Sequence, residues 1–394
     1  MKKFMILGAS ILQLPAIIKA KEMGLKVVAV DMDPNAVGFC EADIEKEVIS
    51  TIDVDSVVEA AKRHGVCGVV TVASDMPMRS VAAVAKEMGL VGVSEETAIK
   101  STNKADMRKA FEENSVASPK SYKASNKEEF NEIKAKFNGS FIIKPADNSG
   151  SRGVFLVNND SESDKAYEYS SRFSRSGDVV VEEFMQGPEV SVEILAVKGE
   201  YHVLQVTDKL TTGAPHFVEI GHSQPSRLPK ADVDAIKNLA IQAAKAVGIE
   251  NGPGHAEIIL TKDGPKMVEI GARMGGGCIT THLVPLSTGI DMTEATIRTA
   301  LGDIPKVEPK HCRGAAIRFI IPPIGKITKI SGDQEARNIP GVEEVQLQCK
   351  VGQTVGELES GASRIGYVIA QADTPENAIS ICEKALKMIK IYVE

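Results

Sequence analysis

The 394-residue chain contains no tryptophan, and aromatic residues make up 4% of it. Its 6 tyrosines do not interleave with basic clusters, so the stacking platforms that hold single-stranded nucleic acid are missing. A net charge of -7 and a pI near 5.7 also argue against non-specific nucleic-acid binding. The 6 cysteines (Cys40, Cys67, Cys278, Cys312, Cys349, Cys382) are far apart, with no Cys-x-x-Cys pair. That spacing fits reduced thiols in a cytoplasm rather than a disulfide frame or a zinc site. No run approaches the roughly 18 apolar residues of a membrane span. Lys2-Lys3 before an apolar stretch imitates a signal peptide, but Gln13, Pro15, Lys19 and Lys21 interrupt it and no small-residue cleavage site follows. Internal repeats, low-complexity tracts, Gly-x-Gly-x-x-Gly and Gly-x-x-x-x-Gly-Lys-Ser/Thr are all absent, which removes the two commonest phosphate-cradling motifs.

What is present is ordinary for a soluble globular protein: 43% hydrophobic and 25% charged residues, and a length that suits two or three domains. The first part alternates strand and helix. Strands are expected at 4–7, 26–30, 66–72 and 90–93, and helices at 15–23, 54–64 and 78–88. Such alternation predicts a parallel sheet with crossover helices. The turn after the first strand is Gly8-Ala9-Ser10, and Gln13 stands where a dinucleotide fingerprint ends in glycine. Gly8 therefore either permits a tight turn or helps bind a substrate at the strand ends.

The most telling stretch is 254–277, GHAEIILTKDGPKMVEIGARMGGG. Two apolar runs flank an Asp-Gly turn, a hairpin signature. If Leu260 faces Lys266, then Glu257 faces Glu269, with Cβ atoms roughly 4.5–5.5 Å apart. Two carboxylates so placed repel unless a positive group sits between them. Mg²⁺ suits that position, being a hard cation that takes one or two carboxylates and fills its shell with water and phosphate oxygens. Arg273 follows, able to clamp an anion beside the metal.

Other anion-binding signals precede the hairpin. Thr102 and Asn103, both good N-cap residues, predict a helix over 104–113 that places Lys104 in its first turn. A strand at 141–145 ends on Lys144-Pro145, then DNSGSRG forms a polar tip with Gly150 and Gly153, whose backbone suits phosphate. Glu182-Glu183-Phe184-Met185 closes an apolar strand, and Glu189 begins the next. The polar stretch 209–225, with His216 and His222, is read as a long irregular loop of the functional kind. Helices are expected at 279–283, 293–301 and 375–391, and strands at 313–323 and 367–371.

In this order and spacing, Lys104, Lys144 with SGSRG, EEFM followed by Glu189, Glu257 and Glu269-x-x-x-Arg273 resemble the ATP-grasp carboxylate–amine ligases. Residues 361–368, GASRIGYV, are similar to the C-terminal domain shared by biotin carboxylase and the L-amino-acid ligases. The resemblance spans nearly the whole chain. It implies a Rossmann-like parallel-sheet domain over 1–95, a two-lobed ATP-grasp domain over 96–305 with a lid at about 116–185, and a β-rich C-terminal domain over 306–394. It implies that Lys104 and Lys144 touch ATP phosphates while Ser149, Gly150, Ser151 and Gly153 close over them. Glu182, Phe184 and Met185 would meet adenine largely through backbone, and Glu189 the ribose. Glu257 and Glu269 would hold one or two Mg²⁺, with Mn²⁺ as a substitute. Arg273 and Lys144 would be the catalytic cations, and His222, Arg273, Gly275, Gly276 and Arg364 would face substrate. Many members have Glu-x-Asn-x-Arg, whereas this chain has Gly271 at the Asn position, so that metal ligand is missing or supplied by water and the resemblance leaves the second Mg²⁺ open.

The reaction so implied is ATP-dependent joining of a small carboxylic acid to an amine through an acyl phosphate, in a cytoplasmic homodimer with neither nucleic acid nor membrane as partner. A bicarbonate-activating or carbamoyl-phosphate-type enzyme is the alternative, disfavoured because no biotin-carrier or glutaminase-like segment is present. A non-catalytic ATP-binding regulator is the third reading, and it gives no reason to keep paired carboxylates. Substrate selection is expected from the Gly8 turn, Asp75, 209–225, 275–282 and Arg364.

Overall fold

The computed structural model describes residues 2–150, 152–214, 217–321 and 323–394; Ser151 and His216, both singled out above, lie outside the described residues. Strands β1 (Lys3–Leu7), β2 (Lys26–Val30), β3 (Glu45–Glu47) and β4 (Val69–Thr71) form a parallel sheet in the order β3-β2-β1-β4. β1 and β2 are apolar on both faces because crossover helices Leu14–Glu22, Val54–His64 and Met78–Met88 accompany the sheet. The strand expected at 90–93 does not form. Helix Met78–Met88 ends at Gly89 (φ 65), the Leu90 amide bonds back to the Ala85 carbonyl, and the next helix starts at Glu95. Too few residues remain between those caps for a ladder.

Strands β5 (Ser121–Ala124), β6 (Phe141–Pro145), β7 (Phe155–Val157) and β8 (Val179–Glu183) form a second sheet, antiparallel, in the order β5-β8-β6-β7. It has its own core of Phe130, Phe141, Ile143, Val179 and Val181. Next come β9 (Glu189–Val197), β10 (Glu200–Thr211), β11 (Glu219–Gln224), β12 (Gly252–Thr261), β13 (Gly264–Gly271) and β14 (Gly314–Phe319). The last part adds β15 (Gly325–Ser331), β16 (Val342–Leu347), β17 (Thr354–Val355), β18 (Gly366–Ala372) and β19 (Lys390–Val393). One eight-stranded sheet runs β13-β12-β9-β10-β11-β14-β18-β16, so strands from the final third continue the sheet that starts at the carboxylate hairpin. A small sheet, β17-β15-β19, completes the C-terminal part.

Two further expectations change. The stretch 209–225 is mostly strand: Lys209 faces His222 across β10 and β11, and only 212–218 connect them. Its polar residues are held in a ladder and so imitate a loop in sequence. The last helix, Pro375–Met388, stops short of 391 because Lys390 begins β19 and pairs with Ser331. A single apolar core joins Met5, Leu7 and Val28 of the parallel sheet to Val192, Ile258 and Ile270 of the large one. Among the described residues, no helix is long and apolar enough to cross a membrane.

Candidate active site

Hairpin β12–β13 sets the site. Glu257 faces Glu269 in the ladder, but by a different route from the simple register. At the tip Leu260 faces Pro265, one residue out of step, and Val268 is the extra residue that restores the Glu257–Glu269 pairing. A bulge of this kind frees backbone groups and re-aims side chains. Here the Val268 carbonyl accepts a 2.6 Å hydrogen bond from Arg108 Nη2.

Each carboxylate of the facing pair already has an ammonium. Lys104 Nζ lies 3.0 Å from Glu269, and Lys209 Nζ lies 3.0 Å from Glu257. Lys104 reaches this point because Asn103 caps helix Lys104–Glu113, accepting from the amides of Ala105 and Asp106. Its Nζ also donates to the Asn148 carbonyl at 2.7 Å, tying the DNSGSRG tip to the hairpin. In that tip Gly150 and Gly153 take φ of 68 and 79, as a phosphate-cradling turn requires. A cavity of about 340 Å³ opens between the parallel sheet and this hairpin, lined by Asp75, Lys104, Ser149, Glu269 and Gly271 among others.

Lys209, not assigned from sequence, is the hub. Its side chain is 3% exposed and its Nζ lies 2.6, 3.1 and 3.0 Å from Glu189, Glu219 and Glu257. Burial would lower the lysine pKa, but the three surrounding carboxylates outweigh it and hold it well above the ordinary value. Glu219 is correspondingly held well below the carboxylate range, burial being overcome by Lys209 and His222. Glu219 passes the network on: its carboxylate lies 3.6 Å from His222 Nε2 and 3.8 Å from Arg364 Nη1. Arg364 stacks over the Phe319 ring at 3.8 Å. Both His222 ring nitrogens are buried without a hydrogen-bond partner.

Two more clusters flank the pair. His255 lies 2.7 Å from Glu193 and 3.4 Å from Glu257. Burial opposes its charge, but Glu193 prevails and raises its pKa to about 9. Gly275 packs against this pair, since a Cβ there would lie 2.6 Å from His255 Nδ1. Glu182, 1% exposed, lies 2.7 Å from Arg108 Nε and 3.0 Å from Lys144 Nζ. Burial would push its carboxyl up, yet Arg108 and Lys144 bring it down to about 2. Its side chain is thus committed to Lys144, leaving backbone for other contacts, while Phe184 and Met185 stay half-buried beyond the strand end. Arg273 forks onto Asp75, with Nε–Oδ1 at 2.8 Å and Nη2–Oδ2 at 3.0 Å.

Two ion-pair groups thus meet where Glu257 faces Glu269: Lys104 with Glu269, and Lys209 with Glu257, Glu189 and Glu219, the last reaching His222 and Arg364, while Ser149 lines the cavity. Lys144 and Glu182 form a separate pair. Among the described residues, no group of three or more His, Cys, Asp and Glu is arranged to hold a metal by itself. Two facing carboxylates, each already balanced by an ammonium, nevertheless suit a hard cation that takes its other ligands from phosphate and water.

The ATP-grasp domain family matches residues 137–282, and the family described as L-amino acid ligase C-terminal domain 2 matches 318–394. The chain therefore carries an ATP-grasp domain followed by an L-amino acid ligase C-terminal domain. It is 27% identical to dapdiamide A synthase of Enterobacter agglomerans over 59% of this chain and 58% of that protein. It is 25% identical to alanine–anticapsin ligase of Bacillus subtilis over 71% of this chain and 62% of that one. Phosphoribosylamine–glycine ligase of Methanocaldococcus jannaschii is 25% identical over 95% of this chain and 90% of its own. The fold matches the crystal structure of an L-amino acid ligase from Bacillus licheniformis with a TM-score of 0.86, at 22% identity, over 100% of this chain and 99% of that one.

Proposed function

We propose that this ATP-grasp ligase activates the carboxylate of an amino acid or similar small acid as an acyl phosphate and transfers the acyl group to an amine. The observation that carries the reading is the facing pair Glu257 and Glu269, met by Lys209 and Lys104 at 3.0 Å each. The amino-acid substrate class is supported by the match of 318–394 to the L-amino acid ligase domain and by the likeness to dapdiamide A synthase and alanine–anticapsin ligase.

In the proposed reaction an acid oxygen attacks the γ-phosphorus of ATP, the bond to the ADP oxygen breaks, and the acyl phosphate forms. The amine then attacks the acyl carbon, phosphate leaves, and the amine loses a proton. Such transfers depend on positioning and charge neutralisation more than on a covalent enzyme group. When bound, Mg²⁺ neutralises developing charge on the phosphate oxygens. Glu257 and Glu269 would hold it. Lys104 and Lys144 orient the phosphates, and Ser149, Gly150 and Gly153 close over them to exclude water that would hydrolyse the acyl phosphate. Phe184, Met185 and Glu189 receive adenine and ribose. Arg273 holds the acid or its phosphate, and His222, Gly275, Gly276 and Arg364 face substrate.

The test is a hydroxylamine trap. The protein is incubated with Mg-ATP, hydroxylamine and pools of amino acids and other small acids. Hydroxamate formed together with ADP, dependent on one acid pool, is the expected result. ADP release that needs bicarbonate and yields no hydroxamate would replace this reading with a bicarbonate-activating enzyme. ATP binding without turnover on any acid pool would replace it with a regulator.

A further inference from the structure

Residues 269, 271 and 273 alternate along and just beyond β13 and therefore share one face. The middle one is glycine, and its φ is not in the left-handed region. Conformation does not require a glycine there; space does. A Cβ built on Gly271 would lie 2.7 Å from Asp75 Oδ1, 3.2 Å from Arg273 Nε and 3.3 Å from Arg273 Cζ. The volume that a side chain at 271 would take is filled by the Asp75–Arg273 fork.

Asp75 arrives from the other sheet. It follows β4, and the backbone beyond that strand docks on the residue after Arg273: Val72 bridges Met274, and the Ala73 amide donates to the Met274 carbonyl at 3.2 Å. Arg273 Nη1 also donates to that carbonyl at 3.3 Å. Three of the five guanidinium N–H groups are thus fixed, leaving one on each terminal nitrogen for a substrate anion. Arg273 is held charged, burial being outweighed by Asp75 and, beyond it, by Glu257 and Glu269.

We infer that Asp75 is a positioning residue that takes the place of the side chain missing at 271, and that the guanidinium it pins there limits the site to one divalent metal ion. The inference rests on the reading of Glu257 and Glu269 as metal ligands. The fork fills the space from which a side chain at 271 would offer a second cation a ligand, and it adds a fixed positive charge on the face that Glu269 shares.

The experiment counts Mn²⁺ by electron paramagnetic resonance in the presence of a saturating non-hydrolysable ATP analogue. It compares the unaltered protein, Asp75→Ala, Gly271→Asn and the double variant Asp75→Ala/Gly271→Asn. The expected counts are one Mn²⁺ per nucleotide-loaded chain for the unaltered protein and for Asp75→Ala, and two for the double variant, where an amide oxygen replaces the fork. Two Mn²⁺ in the unaltered protein would overturn the inference. No Mn²⁺ at all with nucleotide bound would overturn the reading of Glu257 and Glu269 instead. A readout independent of metal is thermal unfolding. Gly271→Asn is expected to lower the midpoint and the added Asp75→Ala to restore part of it, because the two side chains compete for one space. Gly271→Asn as stable as the unaltered protein would also overturn the inference.

Discussion

Replacing Glu182 by Gln tests how the β5–β8 lobe is held together. Glu182 is buried between Arg108 and Lys144 at 2.7 and 3.0 Å. Its carboxyl titrates near 2 in the folded chain against an ordinary value of 4.5, which corresponds to roughly 3 kcal/mol of stability at neutral pH. Because the folded value is the lower one, this contribution is present above pH 4.5 and is lost as pH falls toward 2. Gln keeps the shape but removes the charge, leaving two buried cations without their counter-ion, a loss of about 3–5 kcal/mol in comparable sites. With a urea dependence of about 1–3 kcal/mol per molar, the midpoint should fall by about 1–5 M at pH 7. Urea titration followed by tyrosine emission is well suited, since the chain has no tryptophan and Tyr122, Tyr167 and Tyr169 all report on this lobe. The gap between the two proteins should narrow at pH 3.5. Equal midpoints at pH 7, or a gap that does not change with pH, would refute the electrostatic account of this cluster.

Three other outcomes are expected. Glu269→Gln should lower ADP release by more than the roughly 10–100-fold that loss of even an outer metal partner costs, with the circular dichroism spectrum unchanged. Lys209→Met strands three carboxylates around an empty centre and should destabilise the chain by about 3–5 kcal/mol; millimolar Mg²⁺ should recover part of this in a thermal melt of the variant but not of the unaltered protein. His282 has its pKa raised to about 10, burial being overcome by hydrogen bonds to Cys278 and Glu344. Its contribution is therefore complete below pH 6.5 and lost as pH rises through 10, so His282→Gln should flatten the alkaline decline of stability.

The carboxylate pair was readable because an Asp-Gly turn, strand alternation and antiparallel pairing fix which residues face each other. The bulge at Val268 was not, since one extra residue leaves no mark on the apolar pattern. Lys104 was readable through Asn103, a local cap. Lys209 was not, because its three partners come from β9, β11 and β12, and its polar neighbours imitate a loop. A usable signal was there: the polar set 207, 209 and 211 alternates at strand spacing with Val206 and Leu210. Asp75 was named only as a candidate for substrate selection, since a lone acid after a strand carries no pairing information until the fold brings Arg273 to it. The missing strand at 90–93 and the overlong last helix fail for a shared reason. Caps and late edge pairing, rather than periodicity, set those ends.

The order of the large sheet bears on how the protein is made. β11 has β10 on one side, and its other neighbour is β14, which in turn needs β18. Until residue 372 has left the ribosome, the growing chain carries an open strand edge ready to pair with another nascent copy. The same late segment delivers Phe319 and Arg364 to the Glu219 corner. A prematurely terminated product would then present that edge and would lack one wall of its pocket, so an intact site and a closed edge are completed by the same late strands.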